Sequence, residues 1–228
     1  MDRRLIILII ALIGSCFTLK AQSKNEHLQI DTIKINNRVY KPNEHLIGIR
    51  YGIAFTNIIS SPNLKPKSVF SPVNVAITYT YYQAMWGYLD YFGLQTGLKY
   101  GSHGYTTLAN IGGIDQTITS LELPILTAFS FDVAKDRLRI LASLGMFLGY
   151  HLTTTREKGW DCYDNRFDFG VLGSVGLGVK IHPFEIHLEF GYQYSMIPLF
   201  DQQRQSSIYW LDIHTSQFFL NLGLHYHF

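Results

Sequence analysis

The stretch Ser216–Phe228, SQFFLNLGLHYHF, decides the fold class of this chain. From residue 220 onward every second position is apolar, and the positions between are small or polar. The apolar set is Leu220, Leu222, Leu224, Tyr226 and Phe228. Successive side chains of a β-strand point to opposite faces of the sheet. The stretch therefore predicts a strand with one apolar face and one polar face.

Seven earlier segments alternate in the same way. They span residues 47–55, 73–81, 92–100, 120–131, 138–150, 166–181 and 184–194. Each segment has about 9 residues or more, enough for a tilted strand to cross a bilayer. The pattern predicts an all-β protein, an eight-stranded antiparallel up-and-down transmembrane β-barrel. Pro124 lies inside the fourth segment and cannot donate a ladder hydrogen bond, so we expect a bulge or kink there.

The connections between these segments alternate in length, each odd-numbered one being longer than the even-numbered ones. Outer-membrane barrels have short periplasmic turns and long extracellular loops. This predicts an outer-membrane protein whose N- and C-termini are periplasmic. Aromatic residues gather at both ends of the segments, as in the girdles of membrane barrels. They are Tyr81, Phe92, Phe131, Phe184 and Phe228 at the periplasmic end, and Phe55, Tyr100, Tyr150, Phe167 and Tyr192 at the other.

The N-terminal residues predict export. Arg3 and Arg4 precede an apolar run to Ile13, and Ala21 offers a cleavage point, which is typical of a signal peptide over residues 1–21. Residues 22–45 then form a polar periplasmic leader and residues 46–228 the barrel. An alternative stays open, because the residues before Cys16 resemble a lipoprotein box in which that cysteine is acylated.

Composition agrees with a membrane barrel in a Gram-negative cell envelope. Aromatic residues make up 14% of the chain and charged residues only 16%, against roughly 25% in soluble proteins. Without residues 1–21 the chain has 16 basic and 16 acidic residues. No nucleic-acid partner is expected, because such binding needs a basic excess.

A soluble β-sandwich or lipocalin-like barrel is the main alternative fold. It would turn the aliphatic face inward and the charged face to water. The polar face of these segments is rich in glycine and serine, which suits a crowded barrel interior. The membrane barrel is therefore favoured.

Eight strands leave an interior that side chains almost fill. Charges in such a lumen must pair or keep water. We expect ion pairs between Lys99 and Glu122 and between Lys180 and Glu185, and an internal polar plug, with a narrow porin-like channel as the alternative. The predicted lumen network is Arg50, Gln95, Lys99, Glu122, Arg139, Asp168, Lys180, Glu185, His187, Glu189, Gln193 and Asn221. Glu185, His187 and Glu189 share one strand face, where we expect them to lie apart along the strand, so no metal site and no cofactor are predicted.

One stretch suggests chemistry. His214 and Ser216 share the lipid-facing side near the outer edge of the last strand, as a His-x-Ser pair does in outer-membrane lipid A deacylases. Asp212 is the candidate that would orient the histidine. No acidic residue follows Ser216, so a non-enzymatic barrel is preferred and a deacylase-like hydrolase is kept as the alternative.

The sequence also resembles a family. Thr119–Leu126, TSLELPIL, is similar to the Leu-Glu-Leu-Pro-Leu-Leu strand of the PorT-like outer-membrane β-barrel proteins, and the strands at 45–52 and 93–98 follow the same order. The resemblance covers about residues 40 to 228 and implies a small barrel of the OmpA type, the outer membrane protein beta-barrel domain.

Partners follow from this reading. The namesake of the family is linked to a protein-secretion apparatus, so the resemblance implies a structural, adhesive or secretion-associated protein whose long extracellular loops contact envelope partners. The expected surroundings are outer-membrane lipids and lipopolysaccharide. Tyr226 and Phe228 form the expected signal for the barrel-insertion machinery.

Overall fold

Eight antiparallel strands close into a barrel in the computed structural model, which confirms the predicted fold class. Each strand pairs with its neighbour in chain order, and β1 pairs with β8 over its whole length. The strands are β1 Glu44–Ser61, β2 Lys67–Met85, β3 Leu89–Thr107, β4 Ile114–Val133, β5 Leu138–Thr154, β6 Phe167–Ile181, β7 Phe184–Ser195 and β8 Asp212–His227.

The structure describes residues 43–61, 67–85, 89–107, 114–133, 137–156, 159–201 and 212–228. The predicted signal peptide, the lipidation alternative at Cys16 and nearly all of the predicted leader lie outside these residues. Within these ranges there is no helix of the length and apolar character needed to span a membrane.

Side-chain alternation sorts the residues into an apolar exterior and a polar interior. Ile49 and Leu144 are 62% and 65% exposed on the outside, and comparable side chains continue around all eight strands. Arg139 and Glu185 are fully buried inside. Soluble monomers rarely expose an apolar patch larger than a few hundred Å². The soluble alternative is therefore wrong, because it requires the opposite arrangement of the two faces.

Most of the strands are longer than the sequence pattern predicts, whereas β6 matches its predicted segment to within one residue. β2, for example, runs from residue 67 to 85, whereas its alternating apolar core covers only 73–81. Backbone pairing continues beyond the apolar band because polar residues also fit the ladder outside a hydrocarbon layer. The connections still alternate in length, at residues 62–66, 86–88, 108–113, 134–137, 155–166, 182–183 and 196–211. We name the end with the longer connections the loop end and the opposite end the turn end.

Two local expectations have different outcomes. The hairpin at residues 182–183 places Lys180 opposite Glu185, as predicted. The bulge expected at Pro124 is wrong, because β4 stays in register with β5 through that residue. On the β3 side the ladder is interrupted between the pairs Thr96↔Ile125 and Lys99↔Glu122 and resumes in the same register. The proline, which has no N–H to donate, thus interrupts the hydrogen-bond ladder to β3 locally without shifting its register.

Candidate functional site

Arg139 organises the polar network at the turn end of the lumen. Its Nε donates to Asp132 Oδ1 at 2.9 Å and its Nη2 to Glu44 Oε2 at 2.6 Å. Its Nη1 lies 3.3 Å from Glu185 Oε2, and the guanidinium carbon lies 5.3 Å from the centre of the Tyr82 ring. One fully buried cation thus ties together carboxylates from β1, β4 and β7.

The ion pair expected between Lys180 and Glu185 is replaced by other partners. Lys180 Nζ lies 2.8 Å from Asp132 Oδ2. Glu185 instead contacts Arg139, His187 Nε2 at 2.9 Å and His227 Nε2 at 2.8 Å. Residues that face each other in the ladder need not pair, because long side chains reach across the narrow lumen to other strands.

His187 joins this network to a second ion pair. Its two ring nitrogens lie 2.9 Å from Glu185 Oε1 and 3.6 Å from Glu189 Oε1, and Glu189 lies 2.8 Å from Arg50 Nη2. The expectation that Glu185, His187 and Glu189 stay apart is therefore wrong, because the imidazole bridges the two carboxylates. His187 also stacks on His225, with ring centres 3.9 Å apart. Among the described residues no group of three or more side chains forms a metal site.

Two other predicted lumen residues lie beside Arg50. Gln95 faces the guanidinium with its side-chain amide, and with the amide oxygen turned toward Arg50 that oxygen lies 3.2 Å from Nη1. Asn221 lines a small lumen cavity of about 30 Å³ together with Arg50, Glu189 and Lys99. This cavity separates the network at the turn end from the layers above it.

An apolar layer crosses the lumen above the cavity. It consists of Ala54, Leu126, Phe147, Leu172 and Phe219, all buried and in mutual contact. The sequence analysis missed this layer, although these residues occupy inward positions of their strands. Gly170 makes room for it, because a Cβ there would collide with the Tyr194 carbonyl oxygen and lie 2.6 Å from Phe147 Cε1. At this position glycine is therefore required by the close approach of the neighbouring strand and of the Phe147 ring.

A second polar network lies near the loop end. Lys99 Nζ is 3.0 Å from Glu122 Oε2, the pair that the sequence analysis expects. Gln193 bridges the pair, since it accepts from Lys99 at 2.7 Å and donates to Glu122 at 3.0 Å. Asp168 is also buried and accepts a hydrogen bond from the Ser195 hydroxyl.

Residues of the two longest connections close the loop end. We name residues 159–166 and 196–201 the loop cap. Leu199 and Phe200 pack on Ile58, Ile118 and Ile213 inside the barrel wall.

Backbone and side-chain bonds join the two halves of the loop cap. Asn165 donates from its backbone N–H to Leu199 O at 3.1 Å, and Asp201 donates to Tyr163 O at 2.7 Å. Arg156 holds both carboxylate oxygens of Asp164, at 3.0 and 2.9 Å. The cap is therefore an ordered unit, and the lumen is filled at two heights, by the cap and by the apolar layer.

The predicted catalytic residues are only partly brought together. His214 Nε2 lies 3.1 Å from Asp212 Oδ2, and its Nδ1 lies 3.1 Å from the Ser195 carbonyl oxygen. Both ring nitrogens thus face acceptors, and in the described part of the chain no hydrogen bond joins His214 to Ser216. A nucleophilic serine needs such a bond to its base. Tyr226 and Phe228, the predicted insertion signal, lie exposed at the turn end.

Comparison with known proteins agrees with this architecture. The sequence matches the family described as "Outer membrane protein beta-barrel domain" over residues 21–201. No curated protein matches the sequence.

Several solved structures are similar. OprG of Pseudomonas aeruginosa is 10% identical with a TM-score of 0.46, covering 81% of this chain and 96% of OprG. Neisserial surface protein A is 14% identical with a TM-score of 0.45, covering 80% of this chain and 97% of that protein. Ail of Yersinia pestis, solved with the heparin analogue sucrose octasulfate, is 14% identical with a TM-score of 0.43, covering 82% of this chain and all of Ail. The family match over most of its length establishes that this chain belongs to the outer membrane protein beta-barrel domain family.

Proposed function

We propose that this protein is a non-enzymatic outer-membrane barrel, a closed scaffold whose loop cap contacts a protein partner outside the membrane. The observation that carries the proposal is the filling of the lumen at two heights, together with the hydrogen bonds that join residues 159–166 to residues 196–201 in the loop cap. In the proposed orientation the loop end faces the outside of the cell, and the N- and C-termini are periplasmic.

The surface of the loop cap is suited to contact with protein. Tyr163 and Met196 are 44% and 53% exposed on a backbone that the cap holds in place. Tyrosine and methionine are enriched in protein interfaces, and a preorganised surface loses less entropy on binding. The resemblance to the PorT-like proteins makes a component of the secretion apparatus or envelope the expected partner, in a membrane of outer-membrane lipids and lipopolysaccharide.

Photo-crosslinking in intact cells tests this proposal. A photoreactive amino acid is placed at Tyr163 or Met196, with Leu144 on the lipid-facing side as the matched control. We expect protein adducts of the same discrete mass from both cap positions, and none from the control. Asp164→Ala, which breaks the Arg156 pair, should weaken both adducts. Products identical to those of the control position would contradict the proposal.

A channel function is the second possibility raised by the sequence. The apolar layer around Phe147 argues against it, because a layer of packed apolar side chains leaves no hydrated path for ions. We expect no discrete conductance from the purified protein in planar bilayers. Regular single-channel steps would contradict the proposal of a closed scaffold and would support a channel function.

Hydrolysis of lipid A is not favoured by the geometry around His214. The histidine contacts Asp212 and the Ser195 carbonyl but not the Ser216 hydroxyl. Mass spectra of lipid A should therefore stay unchanged when the protein, or its Ser216→Ala variant, is expressed. Loss of an acyl chain that requires Ser216 would overturn the non-enzymatic proposal.

A further inference from the structure

A groove of about 670 Å³ lies on the outer face of the barrel, toward the loop end. It crosses four neighbouring strands, β7, β8, β1 and β2. Its lining is Phe55, Asn57, Ile59, Ser68, Tyr192, Ser216 and Phe218. The groove belongs to neither the lumen nor the loop cap.

Register explains the shape of the groove. On its membrane side, Tyr192 pairs with Phe218, Phe218 with Phe55, and Phe55 with Phe70, so that aromatic rings form one row across the four strands. At the next outward-facing position toward the loop end, two residues along each strand, Ser216 pairs with Asn57. Short polar side chains thus form the floor beside a wall of large rings.

Two polar side-chain groups of the floor have no hydrogen-bond partner within the described part of the chain. Ser216 faces outward in register with Asn57 and is only 8% exposed, and among the described residues its hydroxyl makes no hydrogen bond. Asn57 uses its Oδ1 for the Ile58 N–H at 2.9 Å, and its amide nitrogen has no bond within the described chain. Neither of these two atoms is sealed from the groove, so a ligand lying in the groove can reach both and supply the missing hydrogen bonds.

Charge and depth define the ligand. Among the residues that the structure describes, the lining contains no acidic, basic or histidine side chain. A phosphate group is usually held by arginine or lysine, so the groove matches an uncharged, hydroxyl-rich group instead. Because the aromatic row marks the edge of the hydrocarbon layer, the floor lies at the depth of lipid headgroups.

We propose that this groove binds the sugar ring of a membrane glycolipid, with the ring hydroxyls on Ser216 and Asn57 and its apolar face on the Phe218 and Tyr192 rings. No bond is broken. The inference rests on the barrel spanning a membrane and not on the partner of the loop cap, so either can fail without the other.

A titration in micelles tests the proposal. The full protein, folded in dodecylphosphocholine, is titrated with dodecyl glucoside while the backbone amide signals of Asn57, Ser68 and Ser216 are followed by NMR. We expect saturable shifts of these signals with the glucoside. The same additions of dodecylphosphocholine should produce none.

Variants locate the site. Ser216→Leu or Asn57→Leu fills the groove with a residue that suits a lipid-facing strand, and either should weaken glucoside binding at least about tenfold, roughly the loss of one net hydrogen bond. Thr127→Leu, on the outer face of β4 across the barrel, should bind like the unchanged protein. Shifts that do not saturate, equal shifts with both amphiphiles, or unchanged binding in both filled variants would overturn the proposal. If neither filled variant folds, the comparison of the two amphiphiles on the unchanged protein decides.

Discussion

Replacing Arg139 by alanine should destabilise the barrel more than any exposed substitution. Arg139 is completely buried and lies within 3.3 Å of Asp132, Glu44 and Glu185. Its removal leaves three carboxylates in a narrow, poorly solvated lumen. The size of the effect depends on which of these carboxylates still has a charged partner, a hydrogen-bond partner or solvent after the substitution.

Each carboxylate retains different support after the substitution. Asp132 keeps Lys180 at 2.8 Å. Glu44 keeps some solvent, since its side chain is 19% exposed. Glu185 is fully buried, and the partners it keeps among the described residues are the imidazoles of His187 and His227.

Glu185 therefore sets the magnitude of the effect. Removing one partner of a buried ion pair costs about 3–5 kcal/mol. At about 1.4 kcal/mol per factor of ten, the folding equilibrium should fall by roughly two to three and a half powers of ten.

Urea titration of the protein in lipid vesicles measures this change, with gel mobility as a second readout. Arg166→Ala is the matched control, because Arg166 is exposed. Its side-chain contacts within the described part of the chain are with the Tyr150 and Trp160 rings, at 5.0 and 5.5 Å. That control should cost about 0.5–1 kcal/mol. A double-mutant cycle with Glu185→Gln should give a coupling of about 0.5–3 kcal/mol. The reasoning is refuted if Arg139→Ala costs no more than Arg166→Ala.

Three further outcomes are expected. Gly170→Ala should cost about 1–3 kcal/mol in the same urea titration, because its Cβ would collide with the Tyr194 carbonyl oxygen and with Phe147. At Gly101 the nearest atom is 3.3 Å away and alanine should cost less, so equal costs would contradict the crowded lumen. Phe147→Ala should open the apolar layer, so that planar bilayers record conductance that the unchanged protein lacks. Cys162 is exposed, so a membrane-impermeant maleimide should label it on intact cells; a thiol protected until the cells are lysed would contradict the outward loop end. Because Asp161 raises the pKa of this thiol, less thiolate is present at neutral pH, and labelling should be faster at higher pH and in Asp161→Ala.

The barrel itself could be predicted because two environments act on alternate residues. Residues such as Ile49 and Arg50 are neighbours in sequence but face opposite media, so the pattern is strong over all eight strands. The closed order of strands followed from the short connections. Strand ends were less predictable, because polar residues outside the apolar band pair equally well.

The apolar layer could have been read from the sequence but was missed. On the inward face Phe147 stands between Gly145 and Gly149, and Phe219 stands between Gln217 and Asn221. Each breaks the expected alternation of large outward and small or polar inward side chains. An aromatic residue on the inner face of a narrow barrel indicates that the lumen is filled at that height.

The partners of Lys180 and the loop cap could not be predicted. Lys180 faces Glu185 in the ladder, yet Asp132 on β4 competes for it across the lumen. The cap depends on contacts between residues 159–166 and 196–201, which no periodic pattern relates. Both are tertiary effects that appear only once the barrel has closed.

Fractionation of expressing cells, followed by gel mobility with and without boiling, tests the central claim most directly. A closed barrel in the outer membrane should be recovered in that membrane fraction and should change its mobility when it is boiled. Recovery as a soluble protein with the same mobility before and after boiling would contradict the arrangement of an apolar exterior around a polar, filled lumen.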